Sequence, residues 1–168
     1  VARGNGSTWA ELGTGLDNSC YSLLFIGSDL YAAGYFATAG GIPAKNIAKW
    51  NGTAWSALGD GFNSYVYSLA EMNGDLYAGG AFTASGVNSM KYLAKWNGSS
   101  WTNIGANLDG AVWAILPSWH YQSFIVGGQF ISFDLTSLSK RIAKFTDSDN
   151  PLPVELVSFS GALRNNAI

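Results

Sequence analysis

The side chains that could carry out nucleophilic or acid–base chemistry are few in this chain. His120 is the only histidine and Cys20 the only cysteine among 168 residues. Catalysis requires several titratable groups that converge on one point, and one His with one Cys cannot supply an ordinary zinc site. The acidic residues closest to His120 in sequence are Asp109 and Asp134. We therefore expect no enzyme, no catalytic residue, no metal site and no cofactor, and we expect Cys20 to be a small buried residue.

Oxygen-bearing side chains recur in three loops, at residues 13–19, 59–64 and 105–110. The residues concerned are Asp17, Asn18, Asp60, Asn63 and Asp109. Carboxylate and amide oxygens could bind Ca²⁺ or sugar hydroxyls, but Asp and Asn also stabilise turns through their own backbone. The turn-forming role is the one we expect, and the loops remain candidates for a ligand-binding face. Trp119, in a turn that interrupts the pattern, is the candidate for an exposed contact.

Tryptophan recurs at a spacing of 46 residues, at Trp9, Trp55 and Trp101. Exposed rings in such a series would suit a carbohydrate ligand, whereas buried rings would pack between repeated units. Each ring is followed three residues later by an apolar residue, at Leu12, Leu58 and Ile104. This neighbourhood favours packing, and a buried ring predicts a loss of about 3–5 kcal/mol for Trp55→Ala.

The tryptophan spacing belongs to a repeat that restarts near residues 1, 47, 93 and 142. A period of this size marks supersecondary units that stack on one another. Asn-Gly between apolar runs predicts type I′ hairpin turns, with positive φ at both residues. The pairs Asn51-Gly52 and Asn73-Gly74 therefore predict hairpins between strands near 47–50 and 53–58, and between strands near 65–72 and 75–82. Asn97-Gly98 repeats the first turn, and Gly27-Ser28 predicts a type II′ turn in place of the second.

The strand chemistry predicts antiparallel sheets that are covered on both faces. Neither alternate face of the segment 75–82 is polar, so we expect neighbouring units on both sides of it. Small residues near the ends of equivalent strands would let another backbone approach closely. They are Gly34, Gly79, Gly80, Gly127 and Gly128. The prediction is an all-β fold of four-stranded antiparallel sheets, one for each repeat of 46 residues, with no long helix.

The order of these pieces resembles the kelch-like repeats of β-propellers. The pieces are an apolar strand at Tyr65–Met72, a strand with Gly-Gly at Leu76–Phe82, a third strand at Leu93–Trp96 and a tryptophan-opened strand at Ser100–Ile104. The resemblance covers residues 1–146. The amino-acid sequence of these copies resembles, more specifically, propeller repeats of secreted and surface bacterial proteins. The first copy departs from it, with Ala33 for a glycine and Gly4 for a tryptophan.

The resemblance implies about three and a half propeller blades, whereas a closed ring needs roughly 4–8. Either upstream blades complete the ring, or a second chain closes it as a homo-oligomer. The start of the sequence inside a repeat and the unfinished last copy favour upstream blades. Open edges of a partial ring would invite association with another chain.

The segment 147–168 breaks the repeat. Its stretch Leu152-Pro153-Val154-Glu155-Leu156 resembles a linker found in substrates of the type IX secretion system. The resemblance implies a linker followed by the start of an incomplete β domain, in a protein that is secreted or displayed on a bacterial cell surface.

Composition removes several classes of partner. The net charge is −2 and the Lys and Arg residues are scattered, so we expect no nucleic-acid partner. No apolar run approaches the length of a membrane span, so we expect no membrane insertion. The leading hypothesis is a non-enzymatic propeller module that binds a protein or glycan at the cell surface or acts as a spacer. The alternatives are a lectin-like propeller, and a fragment of a propeller enzyme whose catalytic residues lie outside this chain.

Overall fold

The computed structural model describes residues 2–4, 6–105, 107–118, 123–131 and 141–146, and the regular secondary structure in these ranges is entirely β-strand. The strands are β1 (Ala2–Gly4), β2 (Trp9–Glu11), β3 (Ser19–Ile26), β4 (Asp29–Tyr35), β5 (Thr38–Ala39), β6 (Ile42–Pro43), β7 (Ile47–Trp50), β8 (Trp55–Ala57), β9 (Val66–Met72), β10 (Asp75–Gly80), β11 (Ala84–Ser85), β12 (Asn88–Ser89), β13 (Leu93–Trp96), β14 (Trp101–Asn103), β15 (Val112–Ser118), β16 (Ser123–Gly128) and β17 (Ile142–Thr146). Trp119, His120 and the predicted linker at 147–168 lie outside the described residues.

Three antiparallel sheets follow one another along the chain. The first sheet has the strand order β3-β4-β7-β8, the second β9-β10-β13-β14 and the third β15-β16-β17. A separate pair, β1-β2, precedes them, and the hairpins β5-β6 and β11-β12 connect strands of the first and second sheets. The pairing repeats in register, because Trp50 lies opposite Trp55 and Trp96 opposite Trp101. The prediction of an all-β, antiparallel fold is confirmed, and no sheet within the described ranges closes on itself.

The hairpin turns inside the sheets follow the local sequence. Asn73 and Gly74 have φ angles of 57° and 86°, and they connect the paired residues Met72 and Asp75. This is the type I′ geometry that Asn-Gly predicts. Gly27 has a φ of 59° while Ser28 has no positive φ, as expected for a type II′ turn.

The turns before the tryptophan-opened strands differ from the prediction. Gly52 has a positive φ of 98°, but Asn51 does not, so the turn is not type I′. The loop is also longer, because the paired strands are separated by residues 51–54. The Asn51 side chain explains the difference, since its Oδ1 accepts hydrogen bonds from the backbone N–H groups of Thr53 and Ala54 at 3.0 and 2.9 Å. Such an Asx-type bond offers the backbone a different way to turn.

The sheets stack face to face, and two apolar layers separate them. On β10, Leu76 and Ala78 enter the layer between the first and second sheets. Tyr77, from the opposite face of the same strand, enters the layer between the second and third sheets. The segment 75–82 is therefore covered on both faces, as its apolar sequence predicts. A third cluster joins Leu12, next to the β1-β2 pair, to residues of the first sheet such as Leu30.

Glycine allows close contact where each sheet begins. A Cβ atom on any of three equivalent glycines would overlap a backbone carbonyl oxygen that precedes or opens the first strand of the same sheet. These glycines are Gly34, Gly80 and Gly128. Gly79 faces Val112 of the third sheet, where a Cβ would lie 2.6 Å from Cγ1. Gly127 differs, since the nearest atom to a Cβ there would be 3.7 Å away.

The repeated tryptophans connect one unit to the unit before it. The indole Nε1 of Trp55 donates to the carbonyl oxygen of Leu12 at 2.7 Å, and that of Trp101 donates to Leu58 at 3.1 Å. Both rings are buried, at 6% and 5% exposure. Trp9 does not follow the expected packing and is 80% exposed.

The leading strands β3, β9 and β15 also connect neighbouring sheets. The Ser22 hydroxyl accepts from the backbone N–H of Leu69, and the Ser68 hydroxyl accepts from that of Ile115, both at 3.1 Å. Leu69 and Ile115 are therefore covered, with exposures of 7% and 8%. Leu23 has the same place in the first sheet and is 54% exposed. The outer face of β3 is thus an open apolar surface in this structure.

Candidate ligand-binding groove

The predicted loop residues Asp17, Asn63 and Asp109 have equivalent places, and all three bind backbone. Asp17 Oδ1 accepts from the N–H groups of Ala37 and Thr38 at 2.9 and 3.0 Å. Asn63 Oδ1 accepts the equivalent pair from Thr83 and Ala84 at 2.8 and 3.0 Å, and Asp109 Oδ1 accepts from Ile131 at 2.9 Å. These oxygens hold the loop before the first strand of each sheet against the segment that follows the second strand of the same sheet.

The electrostatics of Asp17 agree with this role. The backbone hydrogen bond from Thr38 is the largest influence and lowers the pKa of the Asp17 carboxyl. A carboxylate that accepts backbone N–H groups is stabilised in its charged form. Asp17 is therefore an acceptor that fixes a loop, and it is unsuited to serve as a proton donor.

The other two described loop candidates, Asn18 and Asp60, lie apart from each other. Asn18 is exposed, and its Oδ1 accepts from the Ser19 backbone N–H at 2.8 Å, which leaves its amide NH₂ group directed elsewhere. Asp60 is also exposed, but its carboxylate lies against Gly86, in the turn between β11 and β12. Asp60 is thus separate from the residues that line the groove described next, and Trp119 is outside the described residues.

A groove of about 420 Å³ lies on the loop side of the first and second sheets. Its polar lining residues are Asp17, Asn18, Lys45, Asn46 and Asn63. Tyr35, at the end of β4, supplies an aromatic ring that is 44% exposed. The groove therefore presents amides, one carboxylate, one cation and one exposed ring, and polar groups of this kind can fix the orientation of a ligand.

The floor of the groove contains a buried side chain that bonds to backbone on both sides. Asn46 is buried and has a left-handed φ of 65°. Its Oδ1 accepts from the Phe36 backbone N–H at 3.2 Å, and its Nδ2 donates to the Phe62 carbonyl at 2.8 Å. The side chain thus connects the first sheet to the second and leaves the exposed groups above it for contact.

Four tyrosine rings continue from the groove across the two sheets. Tyr35 stacks on Tyr65 with ring centroids 4.4 Å apart, and Tyr65 stacks on Tyr67 at 5.8 Å. Tyr21 contacts Tyr67 at 5.9 Å and Tyr65 at 6.3 Å. Burial, followed by the nearby phenols of Tyr65 and Tyr21, raises the pKa of Tyr67. We call Tyr21, Tyr35, Tyr65 and Tyr67 the tyrosine cluster.

Bulges in the leading strands direct two of these side chains. Cys20 pairs with Gly34 and Ser22 with Ala33, so Tyr21 is an extra residue without a partner. The same irregularity places Tyr67 and Trp113 as extra residues in β9 and β15. A β-bulge changes the direction of a side chain, and bulges are frequent beside binding sites.

The sequence does contain a signal for the groove, namely positions at which the copies of the repeat differ. Tyr35 corresponds to Ala81 in the next copy, and Tyr65 corresponds to Ser19 and Ala111. The two rings that stack across the sheets are thus at positions where the copies disagree. Residues that the fold requires recur in each copy, and residues that occur once are free to serve a particular site.

Two other features that could carry chemistry have structural roles. Lys49 pairs with Asp29 at 3.0 Å and Lys95 pairs with Asp75 at 2.9 Å, so these recurring lysines connect neighbouring strands. Cys20 is half-buried, and burial raises the pKa of its thiol, which keeps it protonated and weakly nucleophilic. The described ranges contain no cluster of three or more His, Cys, Asp or Glu residues able to hold a metal ion.

Within the part of the chain that the structure describes, there is no helix long and apolar enough to cross a membrane. Comparison of the chain with protein-family models, with curated proteins and with solved structures finds no match. The fold and the groove define a broad class, that of stacked antiparallel β-sheet proteins with an aromatic and polar surface site.

Proposed function

We propose that this chain is a non-enzymatic β-propeller module of a secreted or cell-surface bacterial protein, and that it binds its ligand in the loop-side groove. The support for a propeller is the stacking of four-stranded meanders at a fixed period, with the leading strands of successive sheets in contact. The kelch-like order of the strands and the linker-like segment at 147–168 support the location. Spacer function alone would not require the groove.

The observation that carries the binding proposal is the position of Tyr35. Its ring is exposed beside Asn18, Lys45 and Asn63, and it rests on Tyr65 of the next sheet. Tyrosine offers an apolar face together with a hydroxyl group, which suits contact with partly polar surfaces. The ring is held by stacking before a ligand arrives, so little side-chain freedom is lost on binding.

The ligand is a glycan or a protein, and the lectin-like alternative has specific support. A sugar presents hydroxyl groups at its edge and C–H groups on its faces, and the groove offers amides beside an aromatic ring. The Asn18 and Asn63 oxygens accept from neighbouring groups of the chain, so these side chains face a ligand as donors: Asn18 through its NH₂ group, and Asn63 through the N–H that does not bond to Thr83.

The test is a glycan-array screen of the unaltered chain, Tyr35→Ala and Trp9→Ala. Trp9 is the matched control because it is more exposed than Tyr35 and does not line the groove. We expect binding that falls at least about tenfold in Tyr35→Ala, a change of roughly 1.4 kcal/mol, and is unchanged in Trp9→Ala. Circular dichroism would verify that both variants are folded. Silence of the unaltered chain across the array, or equal loss in both variants, would refute the glycan proposal.

A further inference from the structure

A second cleft lies beside the groove, on the first sheet. The second cleft has a volume of about 500 Å³, and its lining includes Asn18, Tyr21, Ser22 and Leu23. Asn18 lines both the groove and this cleft. The two spaces are therefore adjacent, and one ligand could occupy both.

The tyrosine cluster forms the connection between the two spaces. Tyr35 lines the groove and Tyr21 lines the second cleft. Tyr65 contacts both rings, at centroid distances of 4.4 and 6.3 Å. Tyr21 is 48% exposed, close to the value for Tyr35, so each space has one accessible ring at its boundary.

Charge limits the class of ligand. Among the residues that the structure describes, Lys45 is the only cation that lines either space, and Asp17 is the only anion. The other polar groups that line these spaces are neutral amides, hydroxyls and the half-buried thiol of Cys20. A ligand with a high density of charge would find one cation and one anion to compensate it, whereas a neutral ligand needs neither.

From these observations we propose that the site takes an extended, neutral oligosaccharide, with one end on Tyr35 and the other on Tyr21. This inference rests on the proposed function of the groove and adds the length and charge of its ligand. A monosaccharide would occupy only the space beside Tyr35. Longer chains would reach Asn18 and then Tyr21, and their affinity would rise because each added contact is made without a new association cost.

The experiment measures binding by isothermal titration calorimetry with two probes, the cello- and malto-oligosaccharide series from monosaccharide to hexasaccharide. We expect affinity in at least one series to rise by about tenfold or more between the monosaccharide and the tetrasaccharide. Tyr21→Ala should remove this rise, whereas Tyr35→Ala should weaken binding at every length. Trp113→Ala is the control, because Trp113 is the equivalent bulge residue in the third sheet and lines neither space.

The outcomes separate this inference from the proposed function. If glycans bind on the array but all lengths bind equally, or Tyr21→Ala behaves as the unaltered chain, the groove stands and the extended ligand is refuted. If only acidic glycans bind, the neutral class is refuted. If the array is silent, the glycan proposal for the groove and the extended oligosaccharide fail together, and the groove is left to the protein ligand.

Discussion

Removing the Trp55 ring should destabilise the protein far more than removing the Trp9 ring, although the two have equivalent places in the repeat. Trp55 is buried between the β1-β2 pair and the first sheet, and its Nε1 donates to Leu12 at 2.7 Å. Loss of a buried aromatic ring costs about 3–5 kcal/mol. Trp9 is mostly exposed, and exposed substitutions usually stay within about 0.5 kcal/mol.

A third variant separates the hydrogen bond from the ring. Trp55→Phe keeps an aromatic side chain but leaves the Leu12 carbonyl without its indole donor. The Leu12 carbonyl oxygen still accepts from the Gly15 backbone N–H at 3.2 Å. The substitution therefore removes one hydrogen bond, about 0.5–1.5 kcal/mol, together with part of the ring packing, so Trp55→Phe should fall between Trp9→Ala and Trp55→Ala. Trp101→Phe should behave similarly, because its Nε1 donates to Leu58 in the same way.

The assay is urea unfolding followed by far-ultraviolet circular dichroism, with the midpoint and the slope fitted for each variant. Equal slopes would show that the same surface is exposed on unfolding, so that midpoints report stability. A loss below about 1 kcal/mol for Trp55→Ala, or an equal loss for Trp9→Ala, would contradict the packing between units.

Three further predictions concern other parts of the fold. Gly80→Ala should cost about 1–3 kcal/mol through overpacking, measured by urea unfolding, whereas Gly127→Ala should cost much less because its surroundings have room; equal costs would contradict this account. The carboxyl of Asp17 has a lowered pKa in the fold, so its stabilising contribution is present above the unfolded pKa of about 3.9 and is lost as pH falls through the folded pKa. Asp17→Asn should reduce this acid sensitivity in thermal melts at a series of pH values, and an unchanged pH profile would count against it. The open face at Leu23 should promote self-association. Leu23→Asp should therefore lower the weight-average mass measured by sedimentation equilibrium at high concentration, while the exposed control Val87→Asp should not. A strictly monomeric unaltered chain would refute this.

Local turn chemistry was predictable where the backbone alone decides the geometry. Asn73-Gly74 adopts the expected turn because both residues tolerate positive φ and the strands leave two residues between them. Asn51-Gly52 was predicted wrongly, because the side chain of Asn51 binds two backbone N–H groups and lengthens the loop. The same dipeptide thus has two outcomes, and the residues that follow it decide between them.

The candidate site was only partly predictable. The loops of Asp17 and Asn63 were identified as a possible binding face and also, as the preferred explanation, as turn formers, and the structure shows the backbone bonds. The contact between Tyr35 and Tyr65 joins residues 30 positions apart in different sheets, and no local pattern indicates it. The bulge that frees Tyr21 is equally invisible in sequence, because it depends on how β3 pairs with β4.

The bond from each buried tryptophan to the preceding unit gives the chain a simple rule for growth. Every full copy carries both the indole donor and, three residues later, the carbonyl acceptor for the next donor. A duplicated segment of one period would therefore arrive with both halves of its own junction. Such a gene can gain or lose whole units without redesign at the boundaries, while Tyr35 and Tyr65, which the other copies lack, distinguish one junction from the rest.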